Sequence, residues 1–218
     1  MFTILIILIV LCNFNTKSTV VNPSSDEVAS ADNVEFVSLN ITYEEKLGGG
    51  VVNKARRAIE KFSPEVVKAF AEQGWKIAVV SEISLDGTQY EGITTPLTVG
   101  LTDYDSKTIQ VSPYGDVTND FITIRMVHEF AHFAESFYGN VADTSDWKGL
   151  YKKYRDSYVE YEYNGIVVNE ENKNDIAYAT SDRYEFFACT MKDFYCHPEY
   201  LHNNYPDVYD FLFNLVSP

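Results

Sequence analysis

Two histidines four residues apart, with a glutamate directly after the first, constrain this chain more than any other stretch: His128-Glu129-Phe130-Ala131-His132. Residues four apart in an α-helix share a face, so a single helix can aim both imidazoles at one point. The flanking sequence supplies that helix. Ile122, Met126, Phe130, Phe133 and Phe137 recur at helical spacing and form one apolar stripe. At about 100° per residue, both histidines point well away from it. A helix clamped to a core on one side would present both rings on the other. Thr118-Asn119-Asp120 offers N-cap candidates, and Gly139-Asn140 offers a C-terminal stop. The blander reading, two histidines packed on a helix, gives the intervening glutamate nothing to do.

Paired imidazoles of this kind suit zinc, at Zn–N distances of about 2.0–2.1 Å. Glu129 then sits where it can take a proton from a water that the metal activates. A zinc hydrolase needs a third protein ligand and one open position. The longest form of the motif requires glycine at 135 and histidine at 138, where this chain has Glu135 and Tyr138. A ligand some turns further on has no good candidate, because position 152 is Lys152 and Glu160 lies among tyrosines. The better choice is Glu185 in Tyr184-Glu185-Phe186-Phe187-Ala188. Phe187, Met191 and Phe194 form a second helical stripe that leaves Glu185 on a different face. On the residues alone, His197, His202 and Glu160 remain open alternatives. A structural zinc site is disfavoured, since it would normally fill all four positions with protein ligands.

The pairing of His128-Glu129-Phe130-Ala131-His132 with Glu185-Phe186-Phe187-Ala188 resembles the catalytic domain of anthrax lethal factor and the clostridial Pro-Pro endopeptidases. The C-terminal run from Tyr205 to Leu215 is similar to the last helix of that family, and the resemblance spans roughly residues 35–218. It implies a gluzincin in which His128, His132 and Glu185 hold zinc and Glu129 is the general base. It also gives Tyr178, seven residues before Glu185, the role of a tyrosine that stabilises the oxyanion. Residues 96–101 are similar in position to the family's edge strand, whose free backbone groups can pair with an extended substrate. Two departures stand out. Cys189 occupies the place of a glutamate one turn after the ligand, and Glu135 that of an aspartate. Losing an outer partner of a metal ligand typically costs ~10–100-fold in affinity or activity. Glu135 could substitute with a longer arm, whereas Cys189 offers only a weak sulfur acceptor. The Pro-Pro endopeptidases carry a longer loop before the edge strand than Gly87-Thr88-Gln89-Tyr90-Glu91-Gly92, so their Pro-Pro preference does not carry over.

A chain of 218 residues, 45% of them apolar, builds one core. Its net charge of −15 argues against nucleic acid or an anionic membrane as partner, and favours a basic peptide at long range. The 16 tyrosines and 14 phenylalanines are mostly packing residues, with Tyr178 the one singled out. Residues 2–14 form an apolar run too short for a comfortable membrane span. It reads as the core of a secretory signal, although no positive charge precedes it, with a retained N-terminal anchor as the alternative. The expected organisation is a signal over 1–18, a flexible lead-in over 19–33 and one domain over 34–218. Cys189 and Cys196 would lie about 10 Å apart along one helix, beyond disulfide reach. Asn40-Ile41-Thr42 is a glycosylation acceptor only in a eukaryotic secretory pathway.

The remaining patterns predict strands over 33–43, 75–83 and 108–112. The Gly48-Gly49-Gly50 turn leads into a helix through Phe62, and Ser63-Pro64-Glu65 starts another. A further helix is predicted over 145–158 with Ser145 as N-cap, followed by a loop or short hairpin over 159–173. The fold class is α+β: a zincin-like metalloprotease with a small mixed sheet, an active-site helix and a helical C-terminal subdomain. The expected activity is that of a secreted, monomeric zinc metalloendopeptidase (cofactor Zn2+) acting on an extended peptide or protein substrate. The alternative is a catalytically inactive zincin that serves as a protein-binding module or toxin-like component.

Overall fold

The computed structural model describes residues 38–85, 99–113 and 121–217. The apolar run 2–14, the lead-in, Gly87–Gly92 and the cap candidates Thr118, Asn119 and Asp120 lie outside them, as do residues 33–37 and 96–98. Four short strands form one sheet: β1 (Ile41–Tyr43), β2 (Lys76–Val79), β3 (Gly100–Asp103) and β4 (Thr108–Val111). Their order is β1-β2-β4-β3. β2 runs parallel to β1 and β4, while β3 pairs antiparallel with β4, Thr102 facing Ile109. The predicted strand over 75–83 is thus shorter, because its neighbours are only three and four residues long. β3 and β4 form a hairpin whose turn is tied by Asp103. Its carboxylate accepts from the Asp105 N–H at 3.1 Å and the Ser106 hydroxyl at 2.6 Å, and Lys107 takes φ 51°.

Helices α1 (Gly50–Ile59) and α2 (Pro64–Glu72) precede β2. α1 buries Val51, Val52, Ala55, Ala58 and Ile59, one face of a helix. α2 starts as expected: Ser63 is extended, and Pro64, with its φ already fixed, takes the first helical position. The central helix, α3 (Phe121–Phe137), packs against β3 and β4, against α1, and on the helix Arg183–Cys196. Ile122, Met126, Phe130 and Phe133 are buried, and the rings of Phe62, Phe70, Trp75, Phe130 and Phe133 interlock at centroid distances of 4.7–5.6 Å. Phe137 departs from the predicted stripe. It is 37% exposed, since it ends the helix, and its ring rests on Tyr138. Beyond it the chain reverses through Gly139 (φ 97°) and Asn140 (φ 56°), where the Asn140 N–H returns to the Glu135 carbonyl. Both dihedrals favour the residue types found there.

The C-terminal half is helical: α4 (Ser145–Tyr154), α5 (Lys173–Tyr178), α6 (Arg183–Cys196), α7 (Pro198–Asn204) and α8 (Pro206–Val216). Thr144, not Ser145, caps α4, its hydroxyl accepting from the Trp147 N–H. α4 also ends four residues early. Tyr158 is instead drawn into the interior, where its hydroxyl donates to Asp193 at 2.8 Å. Residues 159–173 hold a single 3-10 turn, Tyr161–Tyr163, and no hairpin. Among the described residues no helix is long and apolar enough to cross a membrane. The α+β class, the small mixed sheet and the helical C-terminal half match the sequence reading.

Candidate active site

α3 and α6 build the site between them. His128 and His132 lie one turn apart on α3, their rings edge to face at 5.1 Å. Glu185 comes from the first turn of α6, whose start is fixed by Asp182. That side chain accepts from the N–H groups of Tyr184 (2.7 Å) and Glu185 (2.9 Å), satisfying donors that a helix N-terminus leaves free. Trp147, fully buried on α4, donates its indole N–H to the Arg183 carbonyl and anchors the same turn.

One ligand atom from each of His128, His132 and Glu185 lies within 4.8 Å of the others. Nε2 of His128 is 3.3 Å from Oε2 of Glu185, and Nε2 of His132 is 3.6 Å from Oε1. Donors on a tetrahedral zinc with bonds of about 2.0–2.1 Å stand about 3.3 Å apart, so this set fits the ion. Oε2 of Glu185 is also buried with no hydrogen-bond partner in the protein, the condition of an atom awaiting a cation. The charges agree. Burial alone would raise the Glu185 pKa, but the imidazoles of His128 and His132 beside it hold the carboxyl far below its usual range. Burial opposes charging of His132, yet Glu185, Glu129 and Asp182 outweigh it and push its pKa up to about 9.

Glu129 points from α3 toward the sheet. Its Oε1 is 4.0 Å from Nε2 of His128, and its Oε2 accepts from the Thr102 hydroxyl at 2.8 Å. The same hydroxyl lies 2.9 Å from the Glu129 carbonyl oxygen. Gly100, two residues earlier on β3, lies against the other side: a Cβ there would fall 2.1 Å from Oε1 and 2.8 Å from Cδ of Glu129. Sequence reasoning reached the edge strand but missed both residues, whose contacts span nearly thirty positions and leave no periodic trace. Tyr104, at the hairpin turn, donates to the His132 carbonyl at 2.8 Å.

Tyr178 ends α5. Its ring centroid is 6.4 Å from that of His128. Burial, and then the negative charges of Glu185 and Glu129, raise its pKa, so it remains a protonated donor. The two departures take different courses. Sγ of Cys189, buried on α6, is 3.5 Å from Nδ1 of His128. Glu135 turns its carboxylate to the Ala142 N–H at 2.8 Å, clasping the turn after α3. The alternatives for the third ligand are engaged elsewhere. His197 stacks on Tyr161, His202 meets the Tyr209 ring, and Glu160 pairs with the buried Lys192. Among the described residues both cysteines, Cys189 and Cys196, are free.

A helix carrying two histidines and a glutamate, beside a small mixed sheet and a second helix carrying the third donor, defines a metallopeptidase-like domain. The sequence profile of the glucose-regulated metallo-peptidase M90 family matches residues 118–215, which include all of these site residues except Gly100, Thr102 and Tyr104. Among solved structures, the chain is similar to the Pro-Pro endopeptidase from Paenibacillus alvei, with a TM-score of 0.54 at 14% identity. That likeness covers 82% of this chain and 98% of the other, and at this identity it speaks to the fold. No curated protein matches the chain.

Proposed function

We propose that this protein is a zinc metalloendopeptidase of the lethal-factor-like gluzincin type. The observation that supports it most is the convergence of His128, His132 and Glu185, with Glu129 held beside them by the edge strand. His128, His132 and Glu185 would hold the ion. Bound zinc supplies Lewis acidity toward the scissile carbonyl and a water whose pKa falls toward ~7. Glu129, fixed beside His128, takes the proton from the attacking water and passes it to the leaving amine. Tyr178 donates its hydroxyl hydrogen to the substrate carbonyl oxygen as negative charge gathers there. An extended peptide pairs with the outer edge of β3, which has no strand partner among the described residues. The apolar run near the N-terminus supports export, and we take the protein to act outside the cell as a monomer.

The test separates metal binding from chemistry. Glu129→Ala should keep its zinc and fold while peptide cleavage falls by several orders of magnitude. Glu185→Ala should lose zinc, with a substitution at His197 as control. Full zinc in Glu185→Ala with activity intact would reject Glu185 as a ligand. One observation favours a second reading, an inactive zincin that binds a protein without cutting it: a thiol, not a carboxylate, backs His128. A zinc-loaded parent that cleaves nothing in a broad peptide library would decide for that reading.

A further inference from the structure

The proposed base is held by the sheet rather than by its own helix. Residues 100 and 102 are two apart on β3 and so present themselves on one face, the face toward α3. At one of these positions a hydroxyl meets Oε2 of Glu129 at 2.8 Å, in a site where Thr102 is 5% exposed. At the other, only the missing side chain of Gly100 leaves room for Oε1, Cδ and Cγ of the same glutamate, which a Cβ would approach to 2.1–2.9 Å. A hydrogen bond from one side and a steric wall on the other leave the carboxylate one place to be. Thr102 is also β-branched, so its χ1 is stiff and its hydroxyl well fixed. With one hydrogen and two acceptors on Glu129, the hydroxyl favours the ionised carboxylate, the stronger acceptor, with the carbonyl at 2.9 Å in reserve. β3 is, moreover, the last strand of the sheet, and its outer edge has no strand partner among the described residues.

We propose that Gly100 and Thr102 are positioning residues for the general base, so that the strand open to substrate is also the part that sets Glu129. The proposal rests on the metalloendopeptidase reading and adds the coupling of substrate docking to base placement. A peptide drawn into register on β3 would press on the same backbone that carries Gly100 and Thr102. Both residues touch Glu129 and neither is among the metal-holding group, so metal content should not depend on them.

The experiment uses the zinc-loaded protein with Thr102→Val, which keeps the shape and removes the hydroxyl, Thr102→Ser, which restores it, and Gly100→Ala. Zinc content and Tm should stay near the parent's in both Thr102 variants. kcat should fall by about 10²-fold in Thr102→Val with KM within about threefold, since misplacing a catalytic group costs about that much. Thr102→Ser should recover most of the loss. Crystal structures of Thr102→Val and Gly100→Ala with zinc bound should show the Glu129 carboxylate displaced or in more than one position. Glu129 unmoved in both variants, or equal loss in the Val and Ser variants, would overturn the proposal. If the parent itself cuts no peptide, the functional reading falls, while the position of Glu129 in the two crystal structures still decides the role of the strand.

Discussion

Sγ of Cys189 stands 3.5 Å from Nδ1 of His128, where an outer carboxylate would draw on the ring more strongly. A thiol kept protonated by burial is a poor acceptor for an imidazole N–H, so this histidine is weakly braced. Replacing Cys189 by Glu should tighten zinc by up to ~10–100-fold, read by competition with a chelator of known affinity. The same substitution adds negative charge near Glu160, Glu185 and Asp193, all of which already act on the thiol, so Tm of the metal-free protein should drop. Tighter zinc together with lower metal-free stability is the expected pair of results, and unchanged zinc affinity would leave Cys189 as packing. Tyr178 carries the other residue-scale prediction. Tyr178→Phe removes one hydroxyl from a residue that is 49% exposed, so fold and zinc should hardly change. A donor used in the transition state should cost ~10²–10³-fold in kcat and leave KM nearly untouched. A variant within about threefold of the parent in kcat would mean that Tyr178 only packs.

Glu185 lies in the first turn of α6, so whatever fixes that turn fixes the proposed ligand. Asp182 does so by accepting two backbone N–H groups, one of them that of Glu185 itself. Asp182→Ala should cost about 1 kcal/mol in denaturant unfolding and weaken zinc as well, whereas Asp182→Ser should keep most of both. Zinc affinity unchanged in the Ala variant would mean that packing alone holds Glu185. The elements also mark what the chain reveals locally. α3 was legible because its stripe and its paired histidines obey one helical period and its Gly139-Asn140 stop follows directly. α2 was legible from Ser63 and Pro64. The third donor was less so: local spacing left His197, His202 and Glu160 in contention, and only the fold shows them engaged with Tyr161, Tyr209 and Lys192. The end of α4 was misplaced because Tyr158 obeys a partner thirty-five residues away, Asp193, rather than the helical pattern it follows. Thr102 with Glu129, and Cys189 with His128, are likewise tertiary contacts that no periodicity encodes.

The whole molecule carries a charge of −15, and part of that excess is taken inside. Lys192 is buried on α6 and faces Glu160 and Glu162, with Asp193 beside it. One cation among three carboxylates leaves Asp193 poorly compensated. Its Oδ2 accepts from the Tyr158 hydroxyl and the Tyr161 N–H, while its Oδ1 is buried without a partner. Burial is the main cause that pushes its pKa up to about 7; Lys192 pulls the other way, and Glu162 and Glu160 add to the rise. The unfolded chain gives up this proton near pH 4. Between there and about 7 the folded protein binds more protons than the unfolded one, so this group lowers stability as pH rises through that window. Asp193→Asn keeps an acceptor for Tyr158 and Tyr161 and cannot ionise. In the zinc-loaded protein, which removes the titration of His132 from the comparison, Tm of the variant relative to the parent should climb from pH 5 to about pH 7 and level off above it. Carboxylates with lowered pKa, such as Glu162, titrate in both proteins and cancel in the difference. Parallel Tm curves across that range would mean that Asp193 is already ionised in the folded protein, with Lys192 compensating it in full.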